Sequence, residues 1–220
     1  MNTELVKRVY HLLPANWALC DIRHRRLKVT TFDDVNDPFE LLGINLRERK
    51  IREKVKRWRE EIKAEYGMLC FSAGWKSPLL WSHYADKHKG ICLGFDVPQD
   101  LLHKVEYRQN RLPHDWGALK VGIEPVLWMK FRQWKYEAEH RRIVSLNRCN
   151  CENVENKAVY FWPFGWDLKL REVVCGARCG IDKKQLEIAL DSLAKNVNLI
   201  KAREAFGSFR VVTQQGRYWY

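Results

Sequence analysis

Two short apolar segments constrain the fold of this chain most strongly: MLCFSAG at 68–74 and GICLGFDV at 90–97. Both are typical of buried β-strands. Between them lies a segment of hydrogen-bonding and aromatic residues that includes Trp81, Ser82, Tyr84 and His88. Because a rigid scaffold holds side chains at strand ends still, binding and catalytic groups are often found there, and the segment predicts a ligand site. The alternative is a half-buried helix in which Trp81 and Tyr84 pack on the core.

Helices and strands are predicted in an irregular order along the rest of the chain. The clearest helix covers 46–66, where apolar residues recur at three- and four-residue steps and Gly67 is the expected terminator. Further helices are expected at 15–26, 123–135 and 182–196. Further strands are expected at 4–13, 27–32, 139–147, 168–176, 198–205 and 208–215. A loop is expected at 109–122, and an irregular segment rich in aromatic residues is expected at 148–165.

This irregular order predicts an α+β fold and argues against a doubly wound sheet. We expect a single domain over residues 1–220, with a mixed, mainly antiparallel sheet and flanking helices. Residues 46–66 would form a basic helical arm of this domain. Residues 182–220 would supply a C-terminal helix and closing strands.

The charge of the chain indicates a polyanionic partner. Lys and Arg number 39 against 27 Asp and Glu, which gives a formal net charge of +12. The excess is concentrated at 23–26 and 47–59, so attraction to nucleic acid is one interpretation. The other is a solvated helix face, because many Glu residues in 46–66 lie four positions from a Lys or Arg and would pair with it.

Several classes of protein and site are not predicted. No run approaches the roughly 18 apolar residues of a membrane span, and the first residues do not resemble a signal peptide, so a cytoplasmic protein without membrane contact is expected. The seven cysteines are an odd number, which disfavours a disulfide framework. Cys149, Cys151, Cys175 and Cys179 have spacings unlike the usual zinc knuckles, so no metal site is predicted.

Two further clusters are candidates for chemistry. The first is NDPFE, in which Asn36 and Asp37 form a turn and could also contact a ligand. The second is WKYEAEHRRI at 134–143. If this segment is extended, Glu137, Glu139 and Arg141 share one face, where burial would be costly without a function. The alternatives are a solvated edge with ion pairs, or a helix with an i,i+4 pair.

Together these motifs resemble a widespread bacterial and phage family catalogued as domain of unknown function 2971. The matching pieces are Tyr10-His11, LKVTTF leading to NDPFE, CFS at 70–72, LLWSHYADKHKGICLGFD, and W-x-Y-E-x-E-x-R from Trp134 to Arg141. The resemblance spans about residues 9–176. The family frequently has Trp where this chain has His140.

The motif layout of that family is similar to that of ADP-ribosyltransferases, which implies NAD as cofactor and a related fold. By this analogy His11, beside Tyr10, would hold the nicotinamide ribose, and Thr30 or Thr31 would lie on the second core strand. Trp81 or Tyr84 would stack on the nicotinamide. Glu139 or Glu137 would orient the ribose 2′-hydroxyl and stabilise the oxocarbenium-like transition state. These residue roles rest on an analogy between folds.

Three functions follow from these patterns as hypotheses. The first is an ADP-ribosyltransferase or NAD glycohydrolase that modifies protein or nucleic acid, as a toxin or phage-defence effector with a neutralising partner. The second is a module that binds or cleaves nucleic acid and uses the helix at 47–59 together with exposed tryptophans. It predicts that binding depends steeply on salt and is lost on charge reversal of Arg47, Arg49, Lys54 and Arg57. The third is an interaction protein without catalysis.

Overall fold

The computed structural model describes residues 5–113 and 124–215. The chain divides into two compact units. The first consists of Met1–Leu27, Phe71–Leu102 and Trp162–Tyr220, and the second of Lys28–Cys70 and His103–Phe161. Both units contain strands and helices that do not alternate regularly, so the predicted α+β class is confirmed.

The described residues contain thirteen strands and four α-helices. The strands are β1 (Val6–Leu13), β2 (Arg26–Lys28), β3 (Tyr66–Ser72), β4 (Ile91–Pro98), β5 (His103–Lys104), β6 (Glu106–Arg108), β7 (Met129–Phe131), β8 (Glu139–Ser145), β9 (Asn150–Val154), β10 (Lys157–Pro163), β11 (Lys169–Cys175), β12 (Asn198–Glu204) and β13 (Val211–Thr213). The α-helices are α1 (Ala15–His24), α2 (Arg49–Glu65), α3 (Pro78–Tyr84) and α4 (Lys183–Leu190). Short 3₁₀ helices join several of them.

The sheet of the first unit is mixed and mainly antiparallel, as predicted. Its strands follow the order β13, β12, β11, β4 and β1, and the end of β3 lies beside β1. Strands β1 and β4 pair antiparallel over their full length, from Val6–Pro98 to Leu13–Ile91. Among the described strand pairs of this unit, only β11 and β12 run parallel. The apolar run at the start of β4 is fully buried, which accounts for its strand-like sequence.

Helix α4 begins where the sequence predicts and ends earlier. The Asp182 carboxylate accepts a hydrogen bond from the Gln185 backbone, and the Gln185 side chain accepts one from the Asp182 backbone. This reciprocal pair is a capping box. Asp191 has a φ of 48° and starts a 3₁₀ helix, so the α-helix does not continue to Asn196 as predicted.

Helix α2 confirms the clearest helix predicted from the sequence. Its apolar stripe packs on two clusters of the second unit, one around Ile44 and Val126 and one around Phe32 and Leu127. The predicted terminator was wrong, because α2 ends before Tyr66 and Gly67 belongs to β3. A Cβ at Gly67 would lie 2.5 Å from Val29 Cγ1, so glycine is needed there for close packing.

Two other predictions in the second unit were wrong. The expected helix at 123–135 is a pair of 3₁₀ helices with β7 between them. The expected irregular segment at 148–165 contains the β9–β10 hairpin. Strand β9 is exposed along its length, so its sequence lacks the alternation that marks a half-buried strand. The predicted loop at 109–122 lies largely outside the described residues.

The second unit contains the strands that carry the acidic cluster predicted from the sequence. The part of β3 before Phe71 lies beside β8, and β5 pairs antiparallel with β8 on its other side. Strands β6 and β7 form a separate parallel pair. Within the described residues, none of the helices has both the length and the apolar character that a membrane crossing needs.

Candidate functional site

Arg141 lies at the centre of a buried cluster of charges in the second unit. Glu139 and Arg141 are two residues apart on β8, so their side chains lie on the same face, as predicted for an extended segment. The Arg141 guanidinium contacts both oxygens of Glu139 at 2.9 and 3.2 Å and both oxygens of Glu40 at 2.6 and 3.0 Å. It also donates to the Leu127 carbonyl at 2.7 Å. The Arg141 side chain is 1% exposed, so this is a fully desolvated ion cluster.

The NDPFE turn supplies the second carboxylate of this cluster. The Asp37 side chain accepts a hydrogen bond from the Phe39 backbone at 2.9 Å, and its carbonyl accepts one from the Glu40 backbone at 3.0 Å. Asp37 is itself buried. The turn chemistry predicted for Asp37 is therefore present, and it places Glu40 where it contacts Arg141.

Lys130 joins the cluster from β7. Its ammonium contacts Glu137 at 2.6 Å and Glu139 at 3.3 Å, and all three side chains are at most 6% exposed. The ammonium also lies 4.8 Å from the centre of the Trp134 ring, within the range of a cation–π contact. Glu139 therefore bridges Lys130 and Arg141. Glu137 was predicted to share their strand face, but it ends the 3₁₀ helix Arg132–Glu137 between β7 and β8 and contacts Lys130 from there.

The cluster shifts the pKa values of its members. Burial alone would raise the pKa of Glu139, but Arg141 and Lys130 oppose this and lower it to about 2. Burial would lower the pKa of Lys130, and the carboxylates of Glu139 and Glu137 raise it above its ordinary value. Burial next to Glu139 raises the pKa of the Cys70 thiol. Glu139 and Lys130 are therefore both charged at neutral pH.

A cavity of about 270 Å³ lies in the second unit, and Lys130 is part of its wall. The other lining residues among those described are Phe39, Leu42, Gly43, Arg108, Gln109, Asn110, Arg111, Met129 and Phe131. The cavity is slightly smaller than the roughly 300–1,000 Å³ of typical small-molecule sites.

The lining of the cavity combines cations with aromatic rings. Phe39 and Phe131 are 57% and 39% exposed, which is unusual for phenylalanine and leaves ring surface open to a ligand. The Arg111 guanidinium lies 5.5 Å from the centre of the Phe39 ring. Arg108 contacts Glu106 at 2.9 Å at the surface. Arginines and aromatic rings in one cavity suit an anion that carries a planar group.

The residues predicted as site residues are divided between the two units. Glu137, Glu139 and Arg141 form the buried cluster of the second unit together with Lys130. In the same unit, Asn36 is exposed and Thr31 is partly buried, and neither belongs to the lining of the cavity.

His11 and Tyr10 lie on β1 in the first unit, on opposite faces of the strand. The His11 ring packs edge-on against Phe71, with 6.2 Å between the ring centres. The Tyr10 hydroxyl donates to Glu172 at 3.1 Å, and Arg8 contacts Glu172 at 2.7 Å and Asp96 at 2.6 Å. Burial and Glu172 raise the pKa of Tyr10 to about 12. Tyr10 therefore belongs to an ion-pair network on the sheet.

Trp81 packs in the core of the first unit, as the alternative interpretation of its segment proposed. It has no exposed surface, and its indole nitrogen donates to the Trp75 carbonyl at 2.6 Å. Its ring stacks on His88, with 6.2 Å between centres. An indole without exposed surface has no open face for a nicotinamide ring. Tyr84, at the end of α3, is only partly buried.

The loop after α3 is strained. Asp86, Lys87 and His88 have φ values of 42°, 54° and 72°, which non-glycine residues rarely adopt. Ser82 Oγ and His88 Nε2 are 3.5 Å apart, longer than the roughly 2.6–3.2 Å of an activated nucleophile and its base. Burial lowers the pKa of His88 despite the opposing effect of Glu204. The geometry shown does not make Ser82 an activated nucleophile.

Sequence reasoning missed Lys130 and Glu40 as members of the site. Lys130 is the single charge in VLWMKF, and a lone cation in an apolar run signals a buried ion pair. Glu40 was predicted as part of a turn, with a set of nuclease metal ligands formed by Asp33, Asp34, Asp37 and Glu40 as the alternative, and no pattern in the sequence indicated its pairing with Arg141. No disulfide joins any of the seven cysteines, all of which lie within the described residues. Cys149 and Cys151 belong to the second unit, and Cys175 and Cys179 belong to the first.

No family model matches this chain, and neither a curated protein nor a solved structure matches it. The resemblance to domain of unknown function 2971, and to the motif layout of ADP-ribosyltransferases, therefore stays a prediction.

Proposed function

We propose that this chain is an NAD-dependent enzyme of the ADP-ribosyltransferase or NAD glycohydrolase type, and that the cavity of the second unit receives one end of NAD. The observation that carries the proposal is the lining of the cavity. Lys130, held by Glu137 and Glu139, stands beside two phenylalanine rings and two arginines. All the residues that would bind NAD belong to the second unit.

The lining matches the chemical parts of NAD. Arginine guanidinium groups form strong paired hydrogen bonds with phosphate oxygens, so Arg108 and Arg111 would bind the pyrophosphate. Phe39 and Phe131 would stack on a planar base or on the nicotinamide. The side-chain amides of Gln109 and Asn110 offer donors and acceptors for ribose hydroxyls.

The buried carboxylates suit the bond that must break. In the proposed reaction nicotinamide would leave with the bonding electron pair, and water or an acceptor nucleophile would form the new bond to the ribose and release its proton to solvent. The ribose would be cation-like in the transition state, so catalysis would depend on positioning and electrostatics. Glu139 is ionised at neutral pH and reaches the cavity wall through Lys130. In this proposal Glu137 and Glu139 are positioning residues that hold Lys130 in place and set the local field.

The proposal predicts that the purified protein releases nicotinamide from NAD, with cell lysate supplied as a source of acceptor. Arg108→Ala/Arg111→Ala should reduce kcat/KM at least tenfold, because charge-assisted hydrogen bonds to phosphate are worth about 1.5–3 kcal/mol each. Chromatography of the reaction mixture measures the release. Both arginines are exposed, so their replacement should leave the fold intact.

A matched control is Arg23→Ala/Arg148→Ala, which removes two exposed arginines that do not line the cavity. This variant should release nicotinamide like the wild type. If folded wild-type protein releases no nicotinamide in the presence of lysate, the proposed activity is refuted.

A further inference from the structure

Helix α2 carries two rows of charged residues that differ in their partners. One row is internally compensated: Arg49 contacts Glu53 at 2.9 Å, and Lys56 lies 3.9 Å from Glu60. The other row consists of Lys50, Lys54 and Arg57, spaced at i, i+4 and i+7 on one side of the helix. These three side chains are exposed, and none of them makes a hydrogen bond or ion pair with the described part of the chain. We call them the basic row.

The basic row is exposed and flanks the apolar side of α2. The apolar side of α2 consists of Ile51, Val55, Trp58 and Ile62 and packs on the clusters around Ile44 and Phe32. The helix is therefore anchored on one side and presents the basic row on another. Glu53 and Glu61 lie three or four positions from members of the row, but Glu53 pairs with Arg49, and Glu61 makes no ion pair with the row in the described part of the chain. The charge of the three cations is therefore left for an external anion.

The chemistry of the row indicates which anion it fits. At 1.5 Å per residue, Lys50 and Arg57 are separated by about 10 Å along the helix axis. Double-stranded nucleic acid carries one negative charge for about every 1.7 Å of its axis, so several phosphates face such a row. Helix α2 has no exposed large apolar residue among the described ones, whereas a helix that lies on a membrane buries an apolar face in the lipid. It also has no exposed aromatic ring on which an unpaired base could stack.

We propose that the basic row binds backbone phosphates of a duplex nucleic acid. This inference goes beyond the proposed NAD chemistry and does not depend on it, because it concerns binding in the absence of NAD. If both proposals hold, the duplex is recruited to the same unit that contains the cavity.

The test measures binding of a labelled 20-base-pair DNA duplex by fluorescence anisotropy over a range of salt concentrations, without NAD. Lys50→Glu/Lys54→Glu/Arg57→Glu should weaken binding at least tenfold at low salt. The slope of log K against log salt should become shallower by about 2 to 3, since each phosphate contact contributes about 0.9. The neutral variant Lys50→Gln/Lys54→Gln/Arg57→Gln should produce the same change in slope with a smaller loss of affinity.

The matched control is Lys183→Glu/Lys184→Glu/Lys195→Glu, which changes the net charge equally at exposed positions of the first unit. It should retain the salt slope of the wild type. Equal losses in the two triple variants would mean that overall charge governs binding, and would overturn the proposal. Unchanged binding in the basic-row variant would also overturn it, provided that circular dichroism shows α2 intact.

Three further probes identify the anion. A duplex RNA of the same sequence should depend on the basic row as the DNA duplex does, because both present phosphate backbones. Single strands should bind more weakly than either duplex. If binding to anionic vesicles requires the basic row and binding to the duplexes does not, the partner is a lipid surface and the proposal is wrong.

Discussion

Replacing Arg141 with methionine should lower the free energy of unfolding by about 3–5 kcal/mol, because removing one partner of a buried ion cluster leaves uncompensated charge. Glu40 and Glu139 would both remain buried after the substitution, and each would lose two contacts with the guanidinium. Methionine keeps much of the side-chain volume. The loss of stability would therefore come mainly from the missing charge and hydrogen bonds and less from a cavity. Urea denaturation followed by circular dichroism measures it.

Two companion variants separate the causes. Arg132→Met removes an exposed arginine from the same unit and should change the free energy of unfolding by less than about 0.5 kcal/mol. Glu40→Gln combined with Arg141→Met should be more stable than Arg141→Met alone, because one of the two stranded charges is gone. A loss below about 1 kcal/mol for Arg141→Met would contradict the account of a desolvated cluster.

Glu139 should make the protein sensitive to acid. Its pKa in the folded protein is about 2, below its ordinary value of 4.5, so the folded state favours the ionised form. The resulting stabilisation is fully present above about pH 4.5 and is lost as the pH falls towards 2. A shift of this size corresponds to about 3 kcal/mol. Glu139→Gln should therefore be less stable than the wild type at pH 7 and lose less stability between pH 4.5 and 2.

Urea denaturation at a series of pH values tests this prediction. The two curves of unfolding free energy against pH should converge as the pH falls. If the two curves stay parallel from pH 4.5 to 2, protonation of Glu139 does not contribute to the loss of stability in acid. That result would contradict the stabilising role of the ionised Glu139 in the ion cluster.

The sequence predicted the parts of this arrangement that depend on local pattern. Alternation along a strand predicted that Glu139 and Arg141 share a face, and the proline turn was predicted from its asparagine and aspartate. The stripe of Ile51, Val55, Trp58 and Ile62 predicted α2. These patterns are local, so a single sequence carries them.

Long-range contacts could not be read in the same way. Arg141 and Glu40 are 101 residues apart, and no local pattern connects them. The role of Lys130 depends on β7, which interrupts a segment predicted to be helical. The interpretation of Trp81 depended on whether its ring was open or covered, and only the packing in three dimensions answers that question.

Calorimetric titration of NAD tests the central claim most directly, because it asks whether the cavity of the second unit binds this ligand. The account predicts that wild-type protein binds NAD and that Phe39→Ala/Phe131→Ala weakens binding at least tenfold, since stacking is worth about 1–3 kcal/mol per base. Phe206→Ala/Phe209→Ala is the matched control, because these two phenylalanines are also exposed, at 95% and 99%, and do not line the cavity. No binding by the wild type at millimolar NAD, or equal losses in the two variants, would contradict the account.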